Sequence, residues 1–521
     1  MMYSLQAQLS KPAEEPSFKF RASNWPSPRS PSQVNEPEKI KPGRLLFHFF
    51  RFAEMSRSIL ATSCCFLALA IFFSCKKNDL VTGSDASVYF STDSLKFDTV
   101  FTSVGSVTKS FKIFNNNNGR LKISTVKLMG GPASPYNTNI NGVATDELRD
   151  IEIEANDSIY VFVTVTIDPN LTQLPFIVSD SILVEYNDNR KFVQLEAFGK
   201  NAHFLRGETI SANTVFDATL PYVILDGLRV DTSVTLTISP GTQLYFHANA
   251  PLIVDGTLNA RGTVSNRILF TGDRLDDYYR DLPGSWPGIY FRESSTENEL
   301  QFCRIINAYQ GLIAAGQPNA PVAKITIQQC EISNIYDAGL YLLASSADIS
   351  NTLVANCGTN LLIRQGGNYS ITHSTFASYS NFNTFRTEPV VAIYNYDDVS
   401  GTRLTGNLQA SFTNCIIWGE GGIAESEVVT AKDDNAGYDL TFNHTLYRSP
   451  LPPAYTIISS SIANADPLFD SVDVFNNYYD FRISADFAPG KDAGTVTPYL
   501  KDLDDLDRNV ALPDLGAYEK Q

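Results

Sequence analysis

The chain has no excess of basic charge: 40 Lys and Arg stand against 56 Asp and Glu, a formal net charge of -16. The first 75 residues carry nine basic and five acidic side chains, so the acidic balance belongs to the remainder. Such a surface repels phosphate backbones and acidic lipid head groups, which excludes nucleic acid as a partner. It is either simply solvated or attracts cations and neutral or cationic glycans. Seven cysteines and five histidines form no CxxC pair and no metal-ligand spacing, so a zinc site is not expected. Charged residues are sparse (18%) beside 43% hydrophobic ones, which excludes a disordered chain. Only four methionines occur, while Ser, Thr, Asn, Val and Ile abound, a composition that favours strands. At 521 residues the chain is long enough for more than one core.

No apolar run is long enough for a comfortable membrane span. The longest, ILATSCCFLALAIFF at 59–73, suits a signal-peptide core, with Arg57 as its positive flank. It ends in Phe72-Phe73-Ser74-Cys75, followed by Lys76-Lys77. That ending resembles a bacterial lipobox, although Phe72 departs from the usual aliphatic residue. The resemblance implies that Cys75 is the acylated residue and that the protein is lipid-anchored in a cell envelope, at the outer membrane of a Gram-negative bacterium. Residues 1–54 are rich in Pro, Ser and charge and precede a much better start, Met55-Ser56-Arg57. They read as a mis-assigned start or a disordered segment, 55–75 as the lipoprotein signal peptide and 76–85 as a linker.

From 86 to 201 the pattern is that of strands. Ile159, Val161, Val163, Val165 and Ile167 recur at every second residue, and similar runs lie at 109–114, 121–128, 181–186 and 192–198. Turn chemistry separates them, as at Asn115–Gly119 and Asn187-Asp188-Asn189. The expectation is a small β-sandwich. Around FKIFNNNNGRLKIS (111–124) it resembles the immunoglobulin-like modules of surface lipoproteins, which implies a spacer.

A six-residue motif then returns six times: apolar, any, polar or aromatic, small, any, apolar. Its copies start at Leu300, Ile327, Ile349, Ile371, Phe412 and Phe442, at spacings of 27, 22, 22, 41 and 30. About 22 residues suits one coil of a parallel β-helix, longer gaps being coils with insertions. The third position (Asn351, His373, Asn414, His444) turns a corner in a left-handed conformation, and the small fourth position faces inward. Cys303, Cys330 and Cys415 take that fourth slot, as Thr352, Ser374 and Thr445 do elsewhere, and read as buried space-fillers. Asn307, Asn334 and Asn356 share another position, a second sign of stacking. Val223-Ile-Leu-Asp-Gly227 matches Leu252-Ile-Val-Asp-Gly256 and carries the repeat upstream. The fold expected is all-β: a right-handed parallel β-helix over 205–485, on the order of ten coils and roughly 50 Å long. Residues 486–521 would cap its exposed end.

Ser239-Pro-Gly241, Val254-Asp-Gly-Thr-Leu258, Ile268-Leu-Phe-Thr271 and Trp286-Pro-Gly-Ile289 resemble the pectate-lyase-like β-helix superfamily in its lipoprotein form. Asp466-Pro-Leu-Phe469, Asp480-Phe-Arg-Ile483 and Asp514-Leu-Gly-Ala-Tyr-Glu519 resemble the end segment of such surface proteins. The resemblance specifies a fold and leaves the chemistry open, since the superfamily holds lyases, hydrolases, epimerases and non-enzymes. The Gly-His-Gly and Arg-Ile-Lys of polygalacturonases are missing, and no acidic calcium site lies beside a base at coil spacing. No catalytic residue is therefore assigned. Two insertions carry the candidate ligand-binding side chains. The first, 272–287, has Asp276, Asp277, Tyr278, Tyr279 and Trp286; the second, about 379–410, has Tyr394, Tyr396, Asp397, Asp398 and Arg403. Aromatic faces can stack on sugar rings while carboxylates and guanidiniums bond hydroxyls, though plain polar loops would look the same. Asp502, Asp504, Asp505 and Asp507 suggest calcium, but the EF-hand glycine is absent, and no cofactor is expected. The function expected is binding or adhesion to carbohydrate without catalysis. The rival is a polysaccharide lyase or glycoside hydrolase.

Overall fold

The computed structural model describes residues 79–101, 106–167, 176–275 and 281–521. Segment 1–54 and the signal peptide expected at 55–75, with Cys75, lie outside them. All regular structure described is strand, apart from a short 3-10 turn at Gly131–Ala133.

Strands from Leu80 to Lys200 form two sheets. One joins Ser94–Phe101, Arg120–Leu128, Glu147–Ile153, Phe176–Tyr186 and Asn189–Lys200, with Leu80–Val81 at its edge. The other joins Val88–Phe90, Lys109–Asn115, Ser158–Val165, Tyr136–Ile140 and Val143–Ala144. Alternation sets the sides: Ile159, Val161, Val163 and Val165 are buried between the sheets, while Tyr160 and Phe162 stack on the outside at 5.4 Å. Asn115 is buried with them. Its amide donates to the carbonyls of Gly119, Ile153 and Glu154, which locks the turn that follows.

From His203 onward a 24-stranded parallel sheet winds into a β-helix of three faces. The inward column of the third face can be followed residue by residue. It runs Phe216, Ile238, Ala260, Leu300, Ile327, Ile349, Ile371, Phe412, Phe442 and Ile458, each in register with the next. Ten levels at about 4.8 Å make a rod roughly 45 Å long. The motif is one corner of this helix. Phe302, Gln329, Asn351, His373, Asn414 and His444 all have φ between 46° and 55°, so each turns the chain as a left-handed residue. The second corner repeats the device at Asn307, Asn334 and Asn356, and Asn334 Nδ2 donates to Asn307 Oδ1 at 2.8 Å.

The small inward position does more than fill space. Thr352, Ser374 and Cys415 each donate to the carbonyl two residues back. The slot also accepts from the coil before: Ser374 Oγ takes the Thr352 N–H at 3.3 Å, and Cys330 Sγ takes the Cys303 N–H at 3.4 Å. The slot therefore satisfies a corner amide that the sheet ladder cannot reach.

Two expectations need correction. The stretch 379–410 is not one inserted loop, because Val391–Tyr394 is a regular strand of the second face, paired with Leu361–Ile363. The excursions lie on either side of it, the second being the hairpin Tyr396–Val399 with Thr402–Thr405. Residues 486–521 do not lie across the end of the rod. They run back along its flank, touching Asn414, His373, Asn351 and Gln329 in turn. The flank is the stronger attraction, because the first face presents Leu353, Ala355, Ala377, Ile416 and Trp418 outward, and Leu503, Leu515 and Ala517 bury against them.

Candidate functional site

The outward side of the first face changes character along the rod. Its pairing register stacks Leu269, Arg304, Glu331, Leu353, Thr375, Ile416 and Leu446 in one column. The next column stacks Ile306, Ser333, Ala355, Ala377 and Trp418. At the first levels Phe101 of the sandwich covers this side, its ring 4.8 Å from that of Tyr245. At the later levels the C-terminal segment does. Between them, where the columns become polar, a cavity of about 270 Å³ opens. That is near the lower end of ligand pockets, which run from about 300 to 1,000 Å³.

One wall of the cavity is an ion pair. Arg304 meets Glu331 through two bonds, 2.8 and 3.3 Å, and Ser333 Oγ donates to the same carboxylate at 2.9 Å. Glu331 accordingly raises the Arg304 pKa above its ordinary value. A second wall is the corner of stacked asparagines. Asn334 donates both to Asn307 and to the carbonyl of Asp281 at 2.7 Å, while its own Oδ1 is buried without a donor. The third wall comes from the hairpin Phe469–Asp473 and Tyr478–Ile483. Asp473 shapes its turn by accepting from the N–H groups of Phe475 and Asn476. Tyr479 and Phe481 then project on one side, parallel within 1° and 5.9 Å apart, and both stack against Tyr379. Tyr478 lines the mouth and is 59% exposed.

The residues expected at the site fall in three groups. Asp276, Asp277, Tyr278 and Tyr279, like Cys75, lie outside the described residues. Trp286 is buried completely: it stacks on Phe246 at 4.4 Å and donates its indole N–H to the Ile306 carbonyl, so it offers no face to a ligand. Tyr394, Tyr396, Asp397, Asp398 and Arg403 are brought together, but they satisfy one another. Arg403 grips Asp398 with two bonds of 2.8 and 2.9 Å, holding that carboxyl below its usual range, and lies over the Tyr396 ring at 4.2 Å. Asp397 is buried against Arg364, which covers Tyr394. This hairpin is held by its own charges. Among the described residues no three His, Cys, Asp or Glu converge as metal ligands.

Fold and cavity together define the class: an all-β protein in which a β-sandwich leads into a parallel β-helix with a lateral pocket. No family model matches the chain, and no curated protein does. Solved structures show only slight likeness. A family 123 glycoside hydrolase from Clostridium perfringens is 10% identical over 22% of this chain and 26% of its own, with a TM-score of 0.16. The PapD-like domain 7 of human CEP192 is 12% identical over 24% of this chain and 92% of its own, at 0.16. A Porphyromonas gingivalis W83 protein is 9% identical over 24% of this chain and 60% of its own, at 0.17. The chain thus spans about a quarter of the hydrolase's length, and likeness at this level carries no argument about fold or function.

Proposed function

We propose that the protein is a cell-envelope lipoprotein of the pectate-lyase-like β-helix type, anchored through Cys75, that binds carbohydrate without cleaving it. The lipobox-like end of the apolar run supports the anchor and the outer-membrane location. The observation that carries the binding reading is the lateral cavity, where the exposed ring of Tyr478 stands at the mouth beside a guanidinium–carboxylate pair and a row of asparagines. Rings cover the apolar face of a sugar, and fixed polar groups sort its hydroxyls.

Cleavage of the same polymer is the second reading, supported by Asp281 and Glu331 lining one cavity. Against it, Arg304 occupies both Glu331 oxygens and Ser333 adds a third bond. A glycan array with the full-length protein in detergent, followed by a reducing-sugar assay on each bound polymer, tests both. Retention without release of reducing ends is expected. Turnover on any polymer overturns the binding-only reading. Replacing Tyr478 by Ala is expected to weaken retention about tenfold, the loss of one aromatic contact. Mass spectrometry of the native N-terminus tests the anchor, which fails if Cys75 is unmodified.

A further inference from the structure

Each end of a β-helix leaves a row of backbone groups unpaired. At the far end of this one the last coil is Thr456–Ser459 on the third face and Ile462–Ala463 on the first. Each pairs with the coil before it, and among the described residues neither has a partner on its other edge. The open end is also apolar. Ile457 is 63% exposed on the outside, and Ile458, last of the inward column, is only partly buried. Among the described segments none is left to cover it, since the last residues are held along the flank through Arg508 and Glu519, and Leu80–Val81 belongs to the sandwich. Free edges are commonly blunted by charge or by cover, and this one has neither. From Ser449 to Ala465 the sequence contains no Asp, Glu, Lys, Arg or His, in a chain whose formal net charge is -16. Blunting is confined to the second side, where Pro450, Pro452 and Pro453 have no N–H to offer. The first end of the rod differs: Arg206, Glu208 and Asp217 are exposed beside it, and the sandwich strand Asn189–Lys200 leads into it.

We infer that the far end of the rod docks a second copy of this chain, end to end, through antiparallel pairing of Thr456–Ser459 with the same strand. Two chains of like charge meet at least cost where neither carries any. The register permits the pairing. Thr456 and Ile458 continue the inward columns of Leu440 and Phe442, while Ile457 points outward. Opposed residues of an antiparallel pair share one side of the sheet, so the two-fold axis passes through a residue and not between two. With the axis at Ile457, the two Ile457 side chains meet on the outside. Inside, each Thr456 faces Ile458 of the other copy. The two open cores become continuous, and each free edge gains a ladder. One strand and one core cross-section make a contact smaller than the roughly 800 Å² per partner of a standard interface, which sets half-dimerisation at about 10–100 µM. The pairing stands apart from the carbohydrate reading and uses none of the cavity.

Sedimentation velocity of the full-length protein in detergent, at concentrations spanning that range, tests this. A monomer–dimer equilibrium is expected. The variant I457D sets two carboxylates against each other across the axis and should weaken the dimer by about tenfold or more, while melting like the parent because the side chain is exposed. A protein that stays monomeric overturns the inference. So does a dimer that I457D leaves intact, since it forms through another surface, the lipid anchor included. The variant I457C reads the register directly. Oxidation by copper phenanthroline should link two copies of I457C, because opposed residues lie within disulfide reach. It should leave unlinked the variant V215C, whose position is as exposed at the first end of the rod. No link in I457C, linking of V215C at the same rate, or linking of V215C to I457C in a mixture, which marks head-to-tail stacking, each overturns the inference.

Discussion

At the scale of single residues, the small inward position of the repeat is a hydrogen-bonding slot. Ser374 Oγ accepts the Thr352 amide and donates to the Thr372 carbonyl. Replacement by Ala removes the oxygen and leaves the Thr352 N–H buried without a partner, which costs about 1–3 kcal/mol. Urea unfolding should show that loss, and replacement by Thr should recover most of it. The cysteines in the same surroundings are chemically quiet. Burial pushes the Cys357 and Cys415 thiols up to about 12, and only thiolate reacts with alkylating reagents. Peptide mapping after native iodoacetamide treatment should find both unmodified, and both modified once urea is present.

At the scale of elements, the C-terminal segment depends on corners that have two tasks. Asn414, His373, Asn351 and Gln329 turn the chain and also bond the segment, through Thr495, Thr497, Arg508 and Asp502. His373 shows the consequence in its titration. Burial, with the Arg508 charge nearby, lowers its imidazole to about 2, so it is neutral in the fold. In the unfolded chain it protonates near its ordinary value of about 6.5. The unfolded state therefore binds the extra proton below that pH, and stability falls as pH falls from about 6.5 toward 2, by up to about 1.4 kcal/mol per unit. Asp502, Asp514 and Glu519 around Arg508 have the opposite sign, because burial raises their pKa values. A His373→Asn variant keeps the turn and should lose only the histidine's share, visible as a flatter stability–pH curve between about pH 6 and 5. Arg508 is buried with bonds to Asn351, Gly516, Ala517 and Glu519. Its replacement by Met strands Glu519, and a loss of about 3–5 kcal/mol is expected in equilibrium unfolding.

At the scale of the whole molecule, the repeat was legible because period and stacking are the same fact. Residues 22 apart, such as Ile327 and Ile349, become neighbours across one ladder. The cavity was harder to read, since its third wall folds back from Phe469–Ile483, far along the chain and outside any period. One signal was nevertheless present. The fifth motif position runs Arg304, Glu331, Leu353, Thr375, Ile416, Leu446, and its change from charged to mostly apolar marks where the flank passes under cover. Trp286 misled because a tryptophan beside charged residues reads the same whether it faces a sugar or the core. The rod also has unequal ends and middle. Thr456–Ser459 pairs on one side only, and its Ile457 is well exposed, so deuterium exchange should be fastest there and slowest near Ile349 and Ile371.

The path of the last residues has an architectural consequence. Glu519 is tied through Arg508 to Asn351, a corner near the middle of the stack. Cargo fused to the carboxyl end would consequently hang from the waist of the rod, and copies joined tail to tail would meet side by side.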